Sequence, residues 1–134
     1  IKNKQGLINT LCYNIKNNQP LTIWGDGSVV RDYIFIDDLG DALLCALNET
    51  GKFLVANISS GIGLSVNAII QKVLSISDSN PDIQYHAART FDIQECFLSN
   101  NRAKKILKWS PKIEIDEGIK KTFDWLGSET HLNL

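Results

Sequence analysis

The chain has no methionine in 134 residues, and only three cysteines, three prolines and two histidines. Each scarcity excludes something. Cys12, Cys45 and Cys96 are an odd number with no metal-like spacing, which argues against a disulfide framework and points to free thiols in a reducing cytoplasm. His86 and His131 have no cysteine or carboxylate at ligand spacing, so no metal site is expected. No lysine or arginine run exceeds two and the net charge is −1, so there is no electrostatic footprint for nucleic acid. No apolar run approaches membrane-spanning length, and no basic-then-apolar leader opens the chain. A start at Ile1 without any methionine leads us to expect a piece of a longer protein.

What is present suits one ordered domain. Hydrophobic residues make up 43% and charged residues 22%, near the globular average, so a packed core is expected. Leu7, Ile8, Leu11, Cys12 and Ile15 recur at helical spacing, and Asn17-Asn18-Gln19-Pro20 stops that helix. Leu21 to Trp24 reads as a strand, Asp26-Gly27 as a hairpin turn, and Asp32 to Ile36 as the returning strand. Asp37 or Asp38 then caps a helix whose apolar stripe is Leu39, Ala42, Leu43, Ala46 and Leu47. Phe53 to Ile58 is a near-continuous apolar run, the pattern of a strand covered on both faces.

Further along, Ser65 caps a helix bearing Val66, Ile69, Ile70, Val73 and Leu74, and Ile83 to His86 is a short strand. Arg89 to Leu98 reads as extended or irregular. A brief helix carries Ala103, Ile106 and Leu107, and a last one Ile115, Ile119, Phe123 and Leu126. The expected class is α+β, a small mixed domain of about five helices and four or five short strands.

Candidate chemistry is sparse. Gly61-Ile62-Gly63 invites a dinucleotide loop, but Val66 stands where the third glycine belongs, so a tight loop capped by Ser65 is the better reading. No Gly-x-Ser-x-Gly nucleophile setting occurs. Arg31 shares a strand face with Tyr33 and Phe35, and a partly covered guanidinium wants an anion. Two partners stay open: a ligand phosphate, or a local aspartate such as Asp26 or Asp32. Arg89 and Asp92 are a second cation and carboxylate in an irregular segment. Two arginines from separate loops can clamp a diphosphate, with Asp92 accepting from sugar hydroxyls and Trp24 offering a flat wall to a base.

The run Pro20-Leu21-Thr22-Ile23-Trp24-Gly25-Asp26-Gly27, followed by Arg31-Asp32-Tyr33-Ile34-Phe35-Ile36-Asp37-Asp38-Leu39, closely resembles the C-terminal half of the extended short-chain dehydrogenase/reductases. These are the NAD-dependent nucleotide-sugar epimerases and dehydratases. Later pieces agree in order: Asn-Ile-Ser-Ser-Gly at 57–61, Arg89-x-x-Asp92, the stretch Ala103 to Pro111, and the Glu117-Gly118-Ile119 helix closing at Trp125. The resemblance covers nearly the whole chain. Two residues depart from it, Phe91 and Lys108 standing where glycines are usual.

The resemblance implies a division of labour. NAD and the catalytic Tyr-x-x-x-Lys belong to an N-terminal Rossmann half, and this chain carries neither, since Asn17 stands four residues after Tyr13. Its own expected part is the substrate: Leu21, Thr22 and Trp24 toward the base, Arg31 and Arg89 on the diphosphate, Asp92 on the ribose. Thr10 and Leu11 would be weaker contacts. Cys96 falls near the position lining the hexose pocket, where a small residue implies room for an N-acetylated sugar. In the complete enzyme, the resemblance implies hydride transfer to NAD, a keto-sugar, rotation, and reduction on the other face. By itself the chain is expected to bind substrate weakly, catalyse nothing, and self-associate through the edge exposed at Phe53-Leu54-Val55.

Overall fold

The computed structural model describes residues 6–49, 55–77 and 79–128. Ten elements run in the order α1 (Leu7–Lys16), β1 (Leu21–Trp24), β2 (Val30–Asp32), α2 (Ile36–Leu47), β3 (Gly63–Ser65), α3 (Val66–Leu74), β4 (Ile83–His86), β5 (Glu95–Cys96), α4 (Asn101–Ile106) and α5 (Ile115–Ser128). Five helices and five short strands among the described residues agree with the mixed class expected.

The main core forms where three amphipathic helices close over β1. Leu11, Cys12 and Ile15 of α1 meet Leu21 and Ile23 of β1, Ile69, Ile70 and Val73 of α3, and Ile119 and Leu126 of α5. Burial raises the Cys12 thiol to about 11, partly opposed by the Lys16 charge, so it behaves as a small neutral hydrophobe. A satellite core gathers Ala42, Ala103 and Trp109. There the buried Asp38 carboxylate accepts from the Lys112 and Ile113 N–H groups at 2.9 and 3.0 Å, and its carbonyl from Trp109 Nε1 at 3.1 Å.

Several sequence expectations are corrected. β1 and β2 do not form a hairpin. β1 pairs in parallel with β4, while β2 is central in a second sheet, antiparallel to β3 and parallel to β5. The Asp-Gly turn is claimed by α3 instead. Asn67 donates its backbone N–H to the Gly27 carbonyl at 3.0 Å and its side-chain amide to the Asp26 carbonyl at 2.8 Å. Gly27 has φ +77°, and a Cβ there would run into the Asn67 amide. A turn wrapped around a helix start sends its two strands apart.

The second strand also ends at Asp32, so Tyr33 and Phe35 do not continue the face of Arg31. Helix α2 starts at Ile36 with Phe35 as its N-cap residue and no side-chain cap. Asp37 and Asp38 therefore lie inside the first turn, where their charge favours the helix N-terminus. Ser65, by contrast, caps α3 as expected, accepting from the Ala68 N–H at 3.1 Å.

One apolar stretch faces outward and another departs from its expected form. In α2 the side turned to this chain is Asp38, Ala42 and Cys45, while Leu43, Leu44 and Leu47 are exposed, Leu47 to 79%. Of the expected strand at 53–58, Phe53 and Leu54 lie outside the described residues and 55–58 is not a strand. A strand exists only with a ladder partner, and no described strand pairs with this segment.

Lys108 adopts φ +54°, a left-handed conformation that costs an L-residue about 1 kcal/mol. It turns the chain out of α4 so that Trp109 can enter the satellite core. Lys108→Gly is expected to raise stability by about 0.5–1 kcal/mol, read as a higher thermal midpoint. A lowered midpoint would show that the lysine side chain contributes more than its backbone costs.

Candidate functional site

One carboxylate ties the end of β2 to two neighbouring segments. Asp32 Oδ1 accepts from the Ser60 N–H at 2.8 Å and the Ser60 hydroxyl at 2.6 Å. Its Oδ2 accepts from the Gly61 N–H at 3.1 Å and the Leu98 N–H at 3.3 Å. Around it, buried Asn100 donates to the Ser59 and Ser60 carbonyls, and the Ser59 hydroxyl donates to the Leu98 carbonyl at 2.9 Å. Segments 57–61 and 97–100 are thereby stitched to the end of β2.

With Asp32 so engaged, Arg31 has no ion pair among the described residues, and neither Asp26 nor Asp32 serves as its counter-charge. Its Nη1 donates to the neighbouring Val30 carbonyl at 2.7 Å. Asp26 accepts instead from the Ser28 N–H at 2.9 Å, and the Ser28 hydrogen bonds hold its carboxyl below the usual range. Tyr33 has its hydroxyl pKa raised by burial, with the Arg31 charge acting against that rise. In the ladder, Arg31 faces Leu64 on one side and the exposed Cys96 on the other.

An open hollow of about 710 Å³ lies beside β1 and β4. Trp24, Arg89 and Asp92 line it together, with Ser28, His86 and Gln94. The parallel register sets Trp24 directly opposite His86, with ring centroids 5.3 Å apart. Gly25, at φ +80°, donates its N–H to the His86 carbonyl at 2.9 Å and turns the chain along the rim. Beyond Ala88 the chain bends so that the Arg89 guanidinium carbon lies 4.6 Å from the Trp24 ring centroid. The Asp92 N–H donates to the Arg89 carbonyl at 3.2 Å, closing a turn that brings both residues to the same hollow despite Phe91 between them.

The remaining sequence candidates are placed differently. Arg31 is not among the residues lining this hollow, but Val30 beside it donates to the Gln94 carbonyl at 2.9 Å, and Gln94 Nε2 donates to the Ser28 hydroxyl at 2.8 Å. That bridge joins the sheet of Arg31 and Cys96 to the rim. Thr22 is exposed on the same strand as Trp24. Leu21 and Leu11 have side chains committed to the core, so only their backbone is available to a ligand. The Thr10 hydroxyl donates to the Gly6 carbonyl at 2.9 Å, back along α1. Ser28, His86 and Gln94 escaped the sequence reading. No spacing in the sequence links His86 to Trp24; the β1–β4 register alone brings them together.

A guanidinium seated on a flat ring, with a carboxylate in the same open hollow, can receive a molecule carrying an anion and hydroxyls. Comparison with known proteins gives that chemistry a context. Residues 2–59 match the NAD dependent epimerase/dehydratase family model. A UDP-glucose 4-epimerase of Mycolicibacterium smegmatis is 31% identical over 108 residues, 81% of this chain and 34% of that protein. A trifunctional UDP-glucose 4,6-dehydratase/UDP-4-keto-6-deoxy-D-glucose 3,5-epimerase/UDP-4-keto-L-rhamnose-reductase of Arabidopsis thaliana is 34% identical over 109 residues, 80% of this chain and 16% of that protein. The crystal structure of UDP-glucose 4-epimerase from Thermotoga maritima with UDP-glucose superposes with a TM-score of 0.88 at 30% identity, covering 96% of this chain and 41% of that one.

By fold and by sequence the chain is similar to a part of the NAD dependent epimerase/dehydratase proteins. The chain spans about a third of the length of the mycobacterial epimerase it matches. One loop with a glycine pattern can be tested against a dinucleotide phosphate, and it does not fit. That loop, Gly61-Ile62-Gly63, has its Ser60 and Gly61 N–H groups already taken by the Asp32 carboxylate.

Replacing Asp32 by alanine leaves three backbone N–H groups without their acceptor. Asp32→Ala is expected to cost about 2 kcal/mol or more in urea unfolding, with faster amide exchange at Ser60, Gly61 and Leu98. Unchanged exchange at those three amides would show that the carboxylate is not what holds them.

Proposed function

We propose that this chain is the nucleotide-sugar-binding portion of an NAD-dependent sugar-nucleotide epimerase acting on a UDP-hexose or UDP-N-acetylhexosamine. The observation that carries the reading is the meeting of Trp24, Arg89 and Asp92, from separate parts of the chain, around one hollow. In this reading the backbone of Leu21, Thr22 and Trp24 meets the base, Arg89 and Arg31 hold the diphosphate, and Asp92 accepts from the ribose. Arg31 supports the reading because no described carboxylate neutralises it, and the Gln94 bridge sets its strand against the rim of the hollow. Cys96, exposed beside Arg31 in the ladder, leaves room on the sugar side, which favours an N-acetylated hexose. A dehydratase or decarboxylase of the same family would use the same grip, as the likeness to the Arabidopsis dehydratase suggests. A stand-alone module that binds a nucleotide sugar without chemistry is the third reading.

Hydride acceptor and base lie, in this reading, in a Rossmann half that holds NAD and docks where Leu43, Leu44 and Leu47 of α2 are bare. The share of the relatives left unmatched by this chain is large enough to supply it. A nucleotide gripped through its diphosphate leaves the hexose free to turn over a catalytic centre, which is the arrangement epimerisation needs.

Two measurements bear on this. Calorimetric titration is expected to show UDP binding that weakens as salt rises, with Arg89→Ala at least about tenfold weaker, the loss of one charged hydrogen-bonding partner. Binding of uridine as tight as that of UDP would contradict the diphosphate grip. Without a partner domain, the α2 face should pair with a second copy, so mass by light scattering should rise with concentration and fall back in Leu43→Lys/Leu47→Lys. A clean monomer at high concentration would contradict that docking face.

A further inference from the structure

We propose that Trp24 is a positioning residue for Arg89: its indole is a shelf that holds the guanidinium flat, with its N–H edges free for the phosphates of a nucleoside diphosphate. The inference rests on reading the hollow as a nucleotide-sugar site and assigns the Trp24 side chain a role distinct from contacting the base.

Arg89 is exposed and forms no ion pair among the described residues. Asp92, the nearest acid in sequence, meets it through backbone, by the N–H to carbonyl bond already described. The contact its charged group does make is with the ring, at 4.6 Å. A long side chain held by nothing would sample many rotamers and lose them on binding a ligand. Stacking on an indole removes part of that freedom beforehand and spends no hydrogen bond, because the attraction acts through the plane of the guanidinium and not through its N–H edges.

The shelf itself is firm. Trp24 ends β1, whose alternate residues Leu21 and Ile23 are anchored in the core, and its ring is braced by His86 across the ladder with the planes tilted 38°. An indole face that carries a guanidinium is not available to a base. The base is then met by backbone of the same strand, as the reading above has it.

The test uses the 134-residue chain and two variants, W24L and W24F. In the wild type, NMR of the Arg89 side chain should show its Hδ and Nε–H protons displaced upfield by the indole ring current. The displacement should persist in W24F and vanish in W24L. Titration with inorganic pyrophosphate should then be about threefold weaker in W24L, nearer wild type in W24F, and titration with uridine little changed. Amide resonances remote from the hollow check that both variants fold. Undisplaced Arg89 protons in the wild type would overturn the shelf. So would W24L losing uridine while keeping wild-type pyrophosphate affinity, which is the signature of a base wall. A wild type that takes up UDP while W24L matches it for pyrophosphate sinks this inference alone. A wild type that takes up neither UDP nor pyrophosphate sinks the nucleotide-sugar reading with it.

Discussion

The carboxylate of Asp32 organises the part of the molecule on which the site depends. It gathers three backbone N–H groups and a hydroxyl, from segments some 28 and 66 residues away, onto the end of a three-residue strand. Without that acceptor the loop at 57–61 and the approach to α4 would each present unpaired amides. The same engagement removes Asp32 as a counter-ion for its neighbour Arg31. A structural hydrogen-bond knot thus leaves a cation without an ion pair among the described residues one position away, on the strand that the Gln94 bridge joins to the rim of the hollow.

Separation of the first two strands into different sheets is the second constraint. A hairpin would have buried the Asp-Gly turn in its own ladder. Because Asn67 at the start of α3 takes the turn carbonyls, β1 is free to pair with β4, and that pairing brings Trp24 alongside His86 and, three residues later, Arg89. The hollow is a product of the crossover. Its volume of about 710 Å³ falls within the range of small-molecule sites, though it is open on one side.

Much of this was legible in the residues. The helices were visible because each places apolar side chains at helical spacing, and α1, α3 and α5 bury those side chains. Ser65 was legible as a cap because a hydroxyl before an apolar run has one common use. Lys108 was visible as a departure from a glycine position, and the backbone there is indeed left-handed. Strand pairing was not legible, since Asp26-Gly27 carries a hairpin signal by itself and the competing claim of Asn67 comes from forty residues away. The α2 stripe misled for a related reason. Periodicity reveals an apolar face without saying whether this chain or another surface covers it, and Leu43 and Leu47 face away from both cores. Residues 55–58 are not a strand because no strand among the described residues pairs with them.

Arg89 and Asp92 reached the hollow by a turn whose closure spacing could not foretell, and His86 by a register that exists only in three dimensions. The central claim is that this hollow receives a nucleoside diphosphate with its phosphates at the guanidinium groups. A crystal structure of the chain grown with UDP tests it most directly. The account predicts the pyrophosphate between Arg89 and Arg31, with the ribose at Asp92. Density for UDP elsewhere, or phosphates in the hollow that touch neither guanidinium, would contradict it.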